Sequence, residues 1–140
     1  MMFKSLVWLA ALLAVLLGGC GPAVKVAPVS GVITLDGKPL ANAHIVFQPQ
    51  STTRNTEPGS FAFTDPNGAY ALKLADGEQP GAVLGKHRVE INLVTASDDR
   101  DPKLRGPQKA LPAKYNRNTE LSFDVVAGGT NKANFDLKSQ

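Results

Sequence analysis

The chain has 140 residues, enough for one small domain, and carries 15 basic against 12 acidic side chains for a formal net charge of +3. Its Lys and Arg residues are scattered with no basic run, which excludes a nucleic-acid-binding charge pattern. A single cysteine excludes an intrachain disulfide, so a hydrophobic core must hold the fold.

The first element is a leader. After MMFKS comes Leu6–Leu17, LVWLAALLAVLL, an unbroken apolar run behind one Lys. That is the build of a secretory signal helix, and it is short of the ~20 residues of a membrane span. Gly18, Gly19, Gly21 and Pro22 then break any helix, although an uncleaved anchor stays open because no charge occurs from Ser5 to Val24. Leu17-Gly18-Gly19-Cys20 resembles the lipobox of bacterial lipoproteins. That resemblance implies a diacylglycerol and further acyl chains such as palmitate on Cys20, cleavage just before it, and a chain held to a membrane by lipid. Two or more acyl chains anchor stably where one binds marginally. The implied division is a signal peptide over 1–19, a lipidated tether over 20–28 and one domain over 29–138, exported to the periplasmic face or the cell surface.

From Val29 onward the pattern is strand-like. Seven segments alternate with a period of two: Val29–Leu35, Ala43–Phe47, Phe61–Phe63, Tyr70–Leu74, His87–Leu93, Leu121–Val125 and Ala133–Leu137. In the third, Phe61 and Phe63 are taken as the apolar face. Turn signals separate the segments. Asp36-Gly37 follows the first, Asn67-Gly68 stands between the third and fourth as the best hairpin signal, Asp76-Gly77 ends the fourth, and Gly128-Gly129 precedes the last. Two polar loops stand out, 50–59 and the long 95–113 with its three prolines. The expected fold is all-β: a seven-stranded antiparallel β-sandwich with immunoglobulin-like or prealbumin-like Greek-key topology, an open barrel being the alternative.

The run VSGVITLDGKPLANAHIVFQP, with Gly31-Val32-Ile33, Gly37-Lys38-Pro39-Leu40 and Ala43-His44-Ile45-Val46-Phe47, resembles the start of the carboxypeptidase regulatory-like domains. Thr64-Asp65, Gly68, Tyr70-Ala71-Leu72 and Gly85-Lys86-His87-Arg88-Val89 continue the likeness. The closing LPAKYN, Leu111 to Asn116, is similar to a motif of small planctomycete-type lipoproteins. The resemblance implies a transthyretin-like β-sandwich and carries little about function, since such folds host many roles.

No chemical constellation is evident. His44 and His87 lie on separate strands without a zinc spacing, and Asp98, Asp99 and Asp101, interrupted by Arg100, are too few for calcium. There is no G-x-S-x-G elbow, no Walker loop and no G-x-G-x-x-G, and the C-terminal FDLKSQ lacks the tail of transthyretin-like hydrolases. No cofactor, metal or catalytic residue is expected. Asp65 is read as a turn residue that binds backbone amides, and Gly31 as permitting close approach. The functional expectation is a non-catalytic module for protein interaction or scaffolding in the cell envelope. The alternative is a carbohydrate- or peptide-binding domain with Lys114 and Tyr115 at its site.

Overall fold

The computed structural model describes residues 24–50, 57–77, 79–94 and 110–140. The expected signal helix, the lipobox residues Leu17, Gly18 and Gly19, the lipidation site Cys20, residues 51–56 of the first polar loop and residues 95–109 of the long one lie outside the described residues.

Among the described residues twelve short strands are formed: β1 (Val26–Ala27), β2 (Val29–Leu35), β3 (Lys38–Pro39), β4 (Ala43–Pro49), β5 (Ser60–Phe63), β6 (Ala69–Ala71), β7 (Lys73–Leu74), β8 (Ala82–Val83), β9 (Gly85–Leu93), β10 (Ser122–Val125), β11 (Asn131–Lys132) and β12 (Phe135–Leu137), with a 3₁₀ turn at Ala113–Tyr115. The fold is an all-β sandwich. One sheet has the order β10-β9-β4-β5-β7 and is antiparallel throughout. The other centres on β2, which pairs with β11 and β12 on one side and with β3 and β6 on the other.

The structure departs from seven antiparallel strands in three ways. First, β2 pairs with β11 and β12 in parallel. Second, two expected strands are split. The Tyr70–Leu74 segment changes sheets at Leu72: β6 pairs with β2, β7 with β5, and the Leu72 amide donates to the Val29 carbonyl at 2.9 Å. The last segment breaks at Ala133-Asn134, where the Val32 amide donates to the Asn134 side chain at 2.9 Å instead of to backbone. Third, the expected tether through Pro28 contributes β1, which pairs with β8, and the Leu84 amide donates to the Lys25 carbonyl at 3.1 Å.

The turns follow their residue types. Asp36 and Gly37 both have positive φ, 51° and 81°, the two-residue geometry that matches strand twist, and they join β2 to β3. The Asp65 carboxylate accepts from the amides of Asn67 (2.8 Å) and Ala69 (2.9 Å), which fixes the turn at Asn67-Gly68. The strand leaving that turn joins the opposite sheet, so this turn is a corner between layers.

Between the layers lies the core, with Ile33, Ile45, Phe47, Val89, Ile91, Val125 and Leu137 fully buried. Gly31 faces a crowded point: a Cβ there would stand 1.9 Å from the Ala133 carbonyl oxygen and 3.1 Å from the Tyr70 hydroxyl. The Tyr70 hydroxyl donates to that same carbonyl at 2.5 Å, and burial pushes its pKa well above the ordinary value. Buried Asn131 ties the sandwich end together. Its side chain accepts from the Val126 amide (2.9 Å) and donates to the carbonyls of Pro28 (3.1 Å) and Val126 (3.0 Å). A buried carboxamide satisfied on both sides stabilises, where an unsatisfied one costs about 1–3 kcal/mol.

Candidate functional site

The register of β4 and β5 decides what the sandwich shows to solvent. Ile45 stands opposite Ala62, and Phe47 opposite Ser60. Partners across a strand pair share a face, so Ala62 and Ser60 enter the core with Ile45 and Phe47. The intervening residues, His44 opposite Phe63 and Val46 opposite Phe61, therefore face outward. The expectation that Phe61 and Phe63 line the core is overturned. Phe63 is 55% exposed, while Ser60 and Ala62 are buried. Alternation alone could not choose between the faces, because both carried apolar residues; only the register with β4 settles it.

On the outer face the rings form a cluster. His44 stacks on Phe63 with centroids 4.8 Å apart and planes 22° apart, and meets Phe61 edge-on at 5.9 Å. Phe61 and Phe63 make a T-shaped pair at 6.1 Å, and the Lys73 ammonium lies 5.3 Å from the Phe61 centroid. The next strand continues the face with polar groups. Asn92 pairs with His44, Glu90 with Val46, and Arg88 with Gln48. The Arg88 guanidinium holds Glu90 in an ion pair at 2.5 Å and donates to the Arg117 carbonyl at 3.1 Å. The Asn92 side chain makes no hydrogen bond among the described residues. The result is a sheet face with an aromatic corner on β4 and β5 and a polar flank on β9.

The other candidates lie elsewhere. Tyr115 sits on the 3₁₀ turn and is only 8% exposed; its hydroxyl accepts from the Lys138 amide at 2.8 Å, so its ring packs in the core cluster. Lys114 is exposed, with its ammonium 5.2 Å from the Tyr115 centroid. The two do not meet the outer aromatic cluster.

The histidines part company. His44 belongs to the outer face, but His87 is wholly buried beside Phe47 at 5.7 Å. Its Nδ1 lies 2.9 Å from the Gly85 carbonyl, which makes Nδ1 the proton-bearing donor, and Nε2 has no partner among the described residues. Desolvation lowers its pKa, opposed by the Gly85 hydrogen bond and the charges of Glu57 and Asp124. Among the described residues no group of three or more His, Cys, Asp or Glu could hold a metal ion. Nor is any helix among them long and apolar enough to cross a membrane.

No family model matches the chain, and no curated protein does. A solved structure similar in shape is a DUF3823 family protein from Parabacteroides merdae ATCC 43184, at 10% identity and a TM-score of 0.43. The match covers 81% of this chain and 46% of that one, so the chain spans about half the length of its structural neighbour.

Proposed function

We propose that this chain is an exported, non-catalytic β-sandwich module, held by lipid on Cys20 at the periplasmic face or cell surface, that binds an envelope partner through the outer face of its five-stranded sheet. The observation that carries the recognition face is the aromatic cluster of His44, Phe61 and Phe63, held on a rigid sheet and turned to solvent. Fully burying a Phe side chain stabilises by about 1.5–3 kcal/mol. Phe63, 55% exposed, forgoes much of that, and a binding role gives it a reason to be there. The anchoring half rests on the leader, the Leu17-Gly18-Gly19-Cys20 motif and the lone thiol.

The test is in-cell cross-linking followed by mass spectrometry of the wild type, Cys20→Ser and Phe63→Ser. A Cys20 peptide of acyl mass at the new amino terminus, with partners retained by the wild type and lost in Phe63→Ser, supports both halves. An unmodified thiol overturns the anchor. Partners indifferent to Phe63 overturn the recognition face.

A further inference from the structure

We infer that the outer sheet face takes an uncharged glycan chain, laid across β5, β4 and β9. This deepens the recognition face proposed above and rests on it. Three observations point to this ligand class.

The first is the pairing of the 55% exposed Phe63 ring with hydrogen-bonding groups at one level of the sheet. Phe63, His44 and Asn92 stand in a single row across three strands, and Phe61, Val46 and Glu90 form the next. Neighbouring strands lie about 4.8 Å apart, so each row is about 10 Å long, the span of about two sugar rings. A pyranose presents an apolar C–H face and a rim of hydroxyls. The first packs on an aromatic ring, and the second needs groups that both donate and accept. The Asn92 carboxamide does both and makes no hydrogen bond among the described residues.

The second is charge. Arg88 and Glu90 neutralise each other at 2.5 Å, and Lys86 stands opposite Asp124 in the register. Lys73, over the Phe61 ring, is the remaining cation among the described residues of these rows. A face so balanced offers little to an acidic or basic polymer and suits a neutral one.

The third is position. The described chain begins at Val24, beside the Lys25–Leu84 hydrogen bond that precedes β9. Asn92 lies seven residues further along β9 than Gly85, about 24 Å at strand rise. The aromatic corner therefore stands at the end of β9 remote from Val24, open to a long chain laid across it.

The experiment is saturation-transfer NMR on the full chain in amine-oxide micelles, with cello-, xylo-, laminari- and chito-hexaose as neutral probes and an oligogalacturonate as the acidic one. The expected result is saturation of ring C–H protons in at least one neutral probe, unchanged by added sodium chloride. Affinity should fall about tenfold in Phe63→Ala and several-fold in Asn92→Ala, and stay put in Tyr115→Phe. Saturation of no neutral probe, or of the acidic one alone, overturns the inference.

A photo-reactive phenylalanine analogue at position 63, cross-linked in cells, separates this failure from that of the wider reading. A protein partner or a second copy captured there, with no glycan binding, overturns the glycan and keeps the face. No capture and no glycan binding overturn both.

Discussion

His44 and Phe63, on neighbouring strands, stack ring on ring 4.8 Å apart on the solvent side of a sheet whose other side is the core. A cross-strand pair of this kind contributes about 0.2–1 kcal/mol, while a buried aliphatic on the inner face contributes several times more. Phe63→Ala is therefore expected to cost under about 1 kcal/mol in urea unfolding, and Ile45→Ala on the opposite face about 2–5 kcal/mol. Equal losses would show that the outer cluster is part of the fold's support.

His87 predicts an acid-sensitive fold. Its folded pKa lies below the ordinary 6.5 because burial disfavours the charged ring. Between the folded and unfolded values the unfolded chain binds more protons, so stability rises with pH in that window. The contribution is full above about pH 6.5 and is lost as pH falls toward the folded pKa. Urea midpoints from pH 8 to pH 5 should decline. His87→Leu should flatten the decline while leaving that of the wild type's carboxylates below about pH 5.

The crowding at Gly31 makes a sharp steric prediction. Gly31→Ala drives a methyl into the Ala133 carbonyl, against backbone that cannot give way cheaply, and should cost about 3 kcal/mol or prevent folding. Tyr70→Phe is the companion test. It removes only the donor to that carbonyl and should cost about 1–3 kcal/mol. The Tyr70 hydroxyl ionises later in the folded chain than its ordinary value of 10.0, so its stabilisation is complete below about pH 10 and is lost as pH rises further. The Tyr70→Phe variant should lack that alkaline component.

Asn131 carries the link between the 126–131 turn and the start of β2. Asn131→Asp keeps the shape and the acceptor for the Val126 amide but removes both donated bonds and buries a charge. A loss of about 3 kcal/mol in thermal or urea unfolding is expected. Amide exchange should rise at Val126 and across the β11–β2 pairing. A uniform loss with no local increase in exchange would deny the residue its stapling role.

Tyr115→Phe discriminates between two places for binding. The hydroxyl accepts one backbone hydrogen bond, from Lys138, so its loss should cost about 1 kcal/mol of stability and leave ligand affinity unchanged. A drop in affinity with intact stability would return the site to the Lys114-Tyr115 turn.

The strand content was legible because period-two alternation is a direct record of a sheet with one wet face. Ile33, Ile45, Phe47, Val89, Ile91 and Leu137 all fall where that alternation puts them. The Asp36-Gly37 and Asp65–Gly68 turns were legible because their chemistry is local. What could not be read depends on partners far along the chain. The outward turn of Phe61 and Phe63 follows from their register with β4, and alternation inside β5 is silent on it. The change of sheet at Leu72 requires knowing that Val29 accepts from its amide. The burial of His87 beside Phe47 and the three bonds of Asn131 are likewise long-range facts. The aromatic face was hidden for the same reason: its residues were assigned to the wrong side of the sheet.

The parallel pairing of β2 with β12 has a consequence for the order in which the molecule can assemble. Ile33 lies opposite Phe135, and a Thr34–Asp136 side-chain hydrogen bond joins the same two strands. The first long strand of the sandwich thus stays half-paired until residues 131–137 have emerged. Hairpins such as β4–β5 can form on their own, but this sheet closes only through contacts about as far apart in sequence as the domain allows. Such topology folds slowly, on the millisecond-to-second scale of other non-local β folds. A chain that stays open until its last strand is present is also one that a narrow translocation channel can accept unfolded.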